Sequence, residues 1–382
     1  MQAFRDAFAE ILNANDRHLL PPYLADAGFT SLICSKYREA HQSFIESRTI
    51  RLETVEQNPY LSNAYRVGHG LVPMSLVLLG EWGEALREIK DAIAMWDKYD
   101  HFHWGQAMRL NRARVHLHAM DFAGVLTICD SVLPLVRDPE PRHSPDYPTP
   151  FPSTFRIRLI LTGLAQAALG DYESALEHFQ ATRVDMDRRP SLLDWYWGMH
   201  LEFAATDLWL AKGDLAQARP QAERFLKFTL ATAEHTWQAL AWEVNARVAM
   251  AELDLTRAQD CIANGLSAME GFDVPLGAWR LHATAAELYQ LTESRELAER
   301  HLALSRDTIM KLANSLPAEE PLRHIFLSAP MIRKILDDSE VPGLRAKKLD
   351  AADYNSEDFS SSPAVRLERA RPDETPLDTF DA

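Results

Sequence analysis

Gly170-Asp171-Tyr172-Glu173-Ser174-Ala175-Leu176-Glu177-His178-Phe179 is the stretch whose reading decides the fold. Glycine tolerates the left-handed backbone at a helix end, and aspartate can cap the helix that follows. Tyr172, Ala175, Leu176 and Phe179 then fall at i, i+3, i+4 and i+7, one apolar face of a helix. The methyl of Ala175 fits where two helix backbones approach closely and a leucine does not. The apolar run Phe155 to Leu169, just upstream, reads as the partner helix of this pair.

The phrase returns along the chain. Gly80-Glu81-Trp82 precedes Ala85, Leu86 and Ile89, and Gly213-Asp214-Leu215 precedes Ala218 and Ala222. Weaker copies are Ser35-Lys36-Tyr37 before Ala40, Met120-Asp121-Phe122 before Val125, and Leu253-Asp254-Leu255 before Ala258. The most degenerate is Glu293-Ser294-Arg295 before Ala298. The small residue therefore recurs at intervals of 45, 40, 50, 43, 40 and 40 residues. A chain that repeats one supersecondary unit stacks its units side by side. No run of alternating β-branched residues bounded by turn signals is present. The expected architecture is all-α: a right-handed superhelical solenoid of about seven helix-turn-helix units.

These residues resemble the second-helix signature of tetratricopeptide repeats. Trp242, eleven positions before the Leu253 turn, matches the tryptophan of that consensus. The intervals exceed the ~34 residues of the standard unit. The long-period form resembles the arrays at the C-terminal end of large bacterial signalling proteins, behind an ATPase, nucleotide-cyclase, protein-kinase or winged-helix module. Gly277 to Ala286, and the closing run from Leu312 through Pro321 to Pro330, resemble the final units of such arrays. The resemblance covers roughly residues 20–336. It implies a regulatory or sensing array, and it favours this chain being the end of a longer product.

Six prolines between Pro139 and Pro152 mark residues 137–153 as a non-helical insertion, which accounts for the widest interval. The remaining organisation reads as an N-terminal helix over 1–20, the array over 21–320, a capping helix over 321–336 bent at Pro330, and an acidic disordered tail over 337–382.

Composition narrows the function. The net charge is −15, and 47% of residues are hydrophobic. An acidic chain lacks the basic stripe that nucleic acid or an anionic membrane surface requires. The longest apolar run, Leu71 to Leu79, is far short of the ~20 residues that span a bilayer. The N-terminus carries early acids and no apolar core of a signal peptide, so a cytoplasmic protein is expected. Cys34, Cys129 and Cys261 are far apart and form no CxxC pair.

Catalytic signatures are missing from these residues. There is no Gly-Lys dipeptide for a phosphate loop, no HExxH and no Gly-x-Ser-x-Gly. His101/His103 and His116/His118 are spaced by two, which on a helix points the rings about 200° apart, so neither pair chelates alone. His200-Leu201-Glu202 lacks the Pro-Cys-x-x-Cys partner of a zinc deaminase. No metal, cofactor or catalytic residue is assigned.

Candidate binding residues come from geometry. In superhelices of the resembling type, the first helix of each unit lines the concave face. Counting from the turns gives Asn111, Arg114 and His118 in the third unit, and His200 and Asp207 in the fifth. It gives Glu243 and Arg247 in the sixth and Arg280 and Glu287 in the seventh. Trp195 and Trp197, with Trp209, read either as an aromatic platform or as core packing. Alternating charge suits a polar peptide or protein segment. The family's carboxylate clamp needs Lys, Asn and Arg on neighbouring units, and only Asn111 and Arg114 match it.

Three functions follow. The leading one is a non-catalytic protein–protein interaction scaffold serving bacterial signalling or transcription control, with a protein or peptide partner and its oligomeric state left open. The alternative is a small-molecule or peptide sensor, curled around a pocket near Trp195, Trp197 and Arg247. The third is a helical-toroid hydrolase using two of Asp194, Glu202 and Asp207.

Overall fold

A computed structural model describes residues 20–57, 62–98, 102–132, 152–191 and 193–337. The expected helix over 1–20, the expected insertion over 137–153 and the expected tail over 337–382 lie almost wholly outside these residues. The described residues form sixteen helices and no strand. Fourteen of them make seven hairpins: α1 (Leu20–Leu32) with α2 (Tyr37–Gln57), α3 (Ser62–Leu79) with α4 (Trp82–Lys98), and α5 (Phe102–His118) with α6 (Phe122–Val132). Then come α7 (Pro152–Ala168) with α8 (Tyr172–Arg188), α9 (Asp194–Ala211) with α10 (Leu215–Leu230), α11 (His235–Ala251) with α12 (Leu255–Met269), and α13 (Pro275–Leu291) with α14 (Arg295–Asn314). The chain is an all-α solenoid.

One turn builds every hairpin. Ser35, Gly80, Met120, Gly170, Gly213, Leu253 and Glu293 all have positive φ, between 56° and 90°. Each stands two residues before its second helix. In the fourth hairpin the Asp171 N–H reaches back to the Gln166 carbonyl at 2.9 Å and the Gly170 N–H to the Ala167 carbonyl at 3.1 Å. The same two bonds close the other six turns. This is the Schellman arrangement, which satisfies the last carbonyls of the first helix. Asp121, Asp171, Asp214 and Asp254 then cap the second helix, each accepting the backbone N–H three residues on.

The marker residues occupy the close contact between paired helices. Ala40, Ala85, Val125, Ala175, Ala218 and Ala258 have no exposed surface, and Ala298 has 4%. Within the first and fourth hairpins a glycine faces the marker. A Cβ on Gly28 would lie 2.5 Å from the Phe44 ring and 3.1 Å from the Ala40 carbonyl. A Cβ on Gly163 would lie 2.5 Å from the Phe179 ring and 3.2 Å from the Ala175 carbonyl.

The first helices α1, α3, α5, α7, α9, α11 and α13 pack on one another in order as an inner row. The row closes, because α13 also packs against α3. The buried core of the first two hairpins is continuous with that of the last: Tyr37, Phe44 and Trp82 share a cluster with Trp279, Leu312 and Phe326. At this seam Trp82 meets Phe326 edge to face at 5.2 Å, and its backbone N–H donates to Ser315 Oγ at 3.1 Å. Ser35 Oγ donates to Glu234 Oε1 at 2.9 Å, and Arg38 pairs with Asp273.

The segment after the array is two helices, α15 (Pro321–Ser328) and α16 (Pro330–Asp337), not one bent helix. Ala329 is extended (φ −60°, ψ 134°), as a residue before proline is forced to be, and α15 ends there. No helix among the described residues is long and apolar enough to cross a membrane.

Candidate binding site

Closure converts the inner row into an interior wall. On α5, Asn111 and Arg114 are buried, with His118 one turn further at the helix end. The same wall receives Tyr196, Trp197, His200, Phe203 and Asp207 from α9, Glu243 and Arg247 from α11, and Arg280 and Thr284 from α13. Apart from Tyr196, which adjoins Trp197, each group repeats every three or four residues, which keeps it on one face of its helix.

Asp207 is the hub of the charged half. Arg247 Nη1 donates to Asp207 Oδ1 at 2.6 Å and lies 3.7 Å from Glu243, while Arg280 Nη2 stands 3.7 Å from the same Asp207 oxygen. Thr284 donates to Glu243 Oε1 at 3.0 Å, and Glu243 Oε2 is buried without a hydrogen-bond partner. Burial works to raise the Asp207 pKa, but Arg247 and Arg280 outweigh it and hold the carboxyl below its usual range. Arg247 is correspondingly raised: Asp207 and Glu243 overcome the penalty of its burial.

The other half is aromatic. Tyr196, Trp197, His200, Phe203 and Trp237 form a continuous set of rings with neighbouring centroids 4.1–5.9 Å apart. Arg114 lies over Trp197 at 5.9 Å and reaches Tyr196 OH at 3.5 Å. His200 Nδ1 donates to the Tyr196 carbonyl at 3.1 Å. Burial, then Arg114, holds His200 well below the usual histidine pKa. Burial, Arg114 and Arg280 push His118 down to about 3, so both imidazoles are neutral.

Asp207 keeps 34% of its side chain accessible and Arg247 29%, so the charged half of the wall is reached by solvent while its aromatic half is packed.

The sequence-derived residues thus divide. Arg114, His118, Trp197, His200, Asp207, Glu243, Arg247 and Arg280 come together, with Asn111 behind Arg114 at 3.4 Å. Glu287 is exposed and stands 3.7 Å from Lys334 of α16. Trp195 packs edge-on against Tyr196 at 5.8 Å, and Trp209 carries Lys212 over its ring at 5.3 Å. Trp197 and Asp207 lie ten residues apart on α9, about 15 Å along the axis, so Trp197 and Arg247 mark two ends of the wall.

No family model matches the chain, and no curated protein matches it. Several solved structures are similar to it. One of these is a tetratricopeptide repeat protein from Parabacteroides merdae ATCC 43184, at 12% identity and a TM-score of 0.39. The match covers 83% of this chain and 98% of that one.

The carboxylates offered for hydrolysis are each held by arginine. Asp194 pairs with the fully buried Arg156, Glu202 with Arg183 and Arg224 at 2.9 Å each, and Asp207 with Arg247. Arg247 and Arg280 hold the Asp207 carboxyl below its usual range, the opposite of what a general acid needs. Among the described residues, no group of three or more His, Cys, Asp or Glu could hold a metal.

Two features were not legible in the sequence. Arg156 on α7 also donates to Asp185 at 2.8 Å and to the Asp185 and Arg189 carbonyls, tying α7, α8 and α9 together. Glu234 caps α11 through the Trp237 N–H at 3.1 Å and receives Ser35 and Tyr37 from the first hairpin. Burial raises its pKa to about 7 against those hydrogen bonds and Arg114.

Proposed function

We propose that the chain is a non-catalytic interaction scaffold, the regulatory or sensing array of a cytoplasmic bacterial signalling or transcription-control protein. The observation that carries this reading is the repetition of one turn seven times, which lines an inner row of helices with paired opposite charges. Such arrays present extended surface to a protein or peptide. Affinity capture on the immobilised full chain at micromolar concentration tests it. One protein should be enriched reproducibly and rebind in purified form. Recovery of none that rebinds argues against the scaffold.

A second reading, a small-molecule or short-peptide sensor, is favoured by the closure of α13 on α3. A wall sealed at its seam suits a compact ligand better than a long peptide laid along an open groove. Thermal-shift screening separates the readings, since a ligand at a hundred times its dissociation constant adds ~2.7 kcal/mol.

A further inference from the structure

Two carboxyls among the described residues are buried, Glu234 and Glu243. Glu243 faces Arg247 on its own helix and Thr284 in the adjoining hairpin. Glu234 is placed differently. It sits where the first hairpin meets the start of α11, which opens the sixth. Its side-chain partners there are hydroxyls: Ser35 and Tyr37 both donate to Oε1. Ser35 Oγ in turn accepts the His235 N–H at 2.7 Å, and Tyr37 OH meets Thr236 Oγ1. Among the described residues no cation forms an ion pair with Glu234. A carboxylate formed in this contact is desolvated, and lifting the first hairpin away returns it to water.

The first hairpin can move by itself. It is the terminal unit of the described array, and such a unit has a stacking neighbour on one side only. Its other ion pair across the seam, Arg38 with Asp273, is largely exposed and contributes little. The second hairpin keeps its own seam contacts, from Trp82 to Phe326 and Ser315. Loosening at Glu234 therefore undocks one hairpin and leaves the rest of the seam in place, a sub-global opening.

We propose that the contact of Ser35 and Tyr37 with Glu234 is a proton-operated latch: the protonated carboxyl holds the first hairpin on α11, and ionisation releases it. Helix α1 belongs to the inner row, so release opens the wall at that edge. The latch goes beyond the scaffold and sensor readings and does not depend on what the interior binds.

The sign follows from the groups around the carboxyl. Burial raises Glu234 from 4.5 to about 7 in the docked state. Cys34 and Tyr37 face it from the first turn and Tyr196 from α9, and burial raises all three. Arg114 faces it from α5 with a permanent charge. His235, next in the chain, turns its ring onto Phe272 and its Nδ1 to the Ala268 carbonyl. Release is therefore favoured progressively as pH rises from 4.5 to 7 and levels off above.

Native-state amide exchange of the full chain at pH 5 and pH 8, read by mass spectrometry as protection factors, is the test. Protection over residues 20–57 should fall roughly 50- to 100-fold between the two, and at pH 8 it should lie at least tenfold below that of α9. Glu234→Gln keeps the shape and cannot ionise, so its first hairpin should be equally protected at both. Tyr37→Phe deletes a donor that favours the carboxylate, so protection should level off at a higher pH than in wild type. Protection over 20–57 that ignores pH, the same fall in Glu234→Gln, or protection equal to that of α9 at pH 8 would overturn the latch. Capture and thermal-shift measurements read binding, so a failed latch leaves both readings of function standing.

Discussion

Ser35 and Glu234 are 199 positions apart in the chain and 2.9 Å apart in space, hydroxyl to carboxylate. Their contact joins the turn of the first hairpin to the first residues of α11. Tyr37 OH shares the same Glu234 oxygen and meets Thr236 Oγ1 at 2.5 Å. The cluster is buried: Ser35 is 2% exposed, Tyr37 1% and Glu234 1%. A solenoid whose units touched only their neighbours would have no such long-range polar contact. Here the seam makes the two ends of the array one cooperative object.

The seam carries a pH dependence of defined sign. Burial raises the folded pKa of Glu234 from 4.5 to about 7. Between these values the folded chain keeps a proton that the unfolded chain has lost, so this group's stabilising contribution falls as pH rises from 4.5 to 7. Arg114, Tyr37 and Tyr196 also face it, and burial raises both tyrosines further above that window. The buried histidines His118, His200, His282 and His301 act oppositely. Their folded pKa values lie below 6.5, so their contribution is present above 6.5 and lost as pH falls. Comparing wild type with Glu234→Gln by urea unfolding isolates the carboxyl. The wild-type advantage should shrink by up to about 3 kcal/mol between pH 5 and pH 8. A difference that grows with pH contradicts this assignment.

Arg156 is expected to be the most sensitive ion-pairing residue. Its side chain has no exposed surface, and it neutralises Asp185 and Asp194 while binding two carbonyls at the end of α8. Arg156→Met leaves those acids half-desolvated and those carbonyls without their donor. Loss of about 3–5 kcal/mol is expected, read as a lower urea midpoint at unchanged slope. Arg38→Met is the contrasting control. Its pair with Asp273 is 70% and 51% exposed, and such pairs contribute about 0–1 kcal/mol.

The array was readable because its signal is local. Gly170-Asp171 and Tyr172-Ala175-Phe179 encode a turn and a close contact within ten residues, and each copy encodes them again. The even weaker copy at Glu293-Ser294-Arg295 still adopts the same turn. Closure was not readable. Ser35 with Glu234, and Trp82 with Phe326, meet only once every intervening hairpin has contributed its small rotation. For the same reason the inner residues could be assigned to a face, but not to the enclosed wall they share. Arg156 was hidden because an arginine in an apolar helix reads as solvated until its two acids arrive from α8 and α9.

Gly163 tests the close approach inside a hairpin. A methyl there would lie 2.5 Å from one Phe179 ring carbon and 3.0 Å from the next, with the Ala175 carbonyl behind it at 3.2 Å. The ring is 3% exposed and has no free direction in which to yield. Helix propensity favours alanine by about 1 kcal/mol. Overpacking of this kind costs about 1–3 kcal/mol. Gly163→Ala is therefore expected to be neutral to destabilising by about 2 kcal/mol, despite its better propensity. A clear rise in melting temperature would show that the two helices can separate at no cost.

Leu253 tests the turn itself. Its φ is +60°, a conformation that costs an ordinary side chain roughly 1 kcal/mol. The side chain is 84% exposed, so it recovers little by packing. Gly170 holds the same turn position at φ +90°, and a Cβ placed there meets nothing within 4 Å. The two sites thus isolate backbone strain from packing, one in each direction. Leu253→Gly removes the strain and adds freedom to the unfolded chain, which offsets part of the gain. A net stabilisation of about 0.5 kcal/mol is expected. Gly170→Ala reverses both terms and should destabilise by about 1 kcal/mol, since the strain exceeds the entropy recovered. Paired urea denaturation curves at fixed pH give both values. Opposite signs at the two positions would establish the left-handed residue as the shared strain point of all seven turns, and equal signs would refute it.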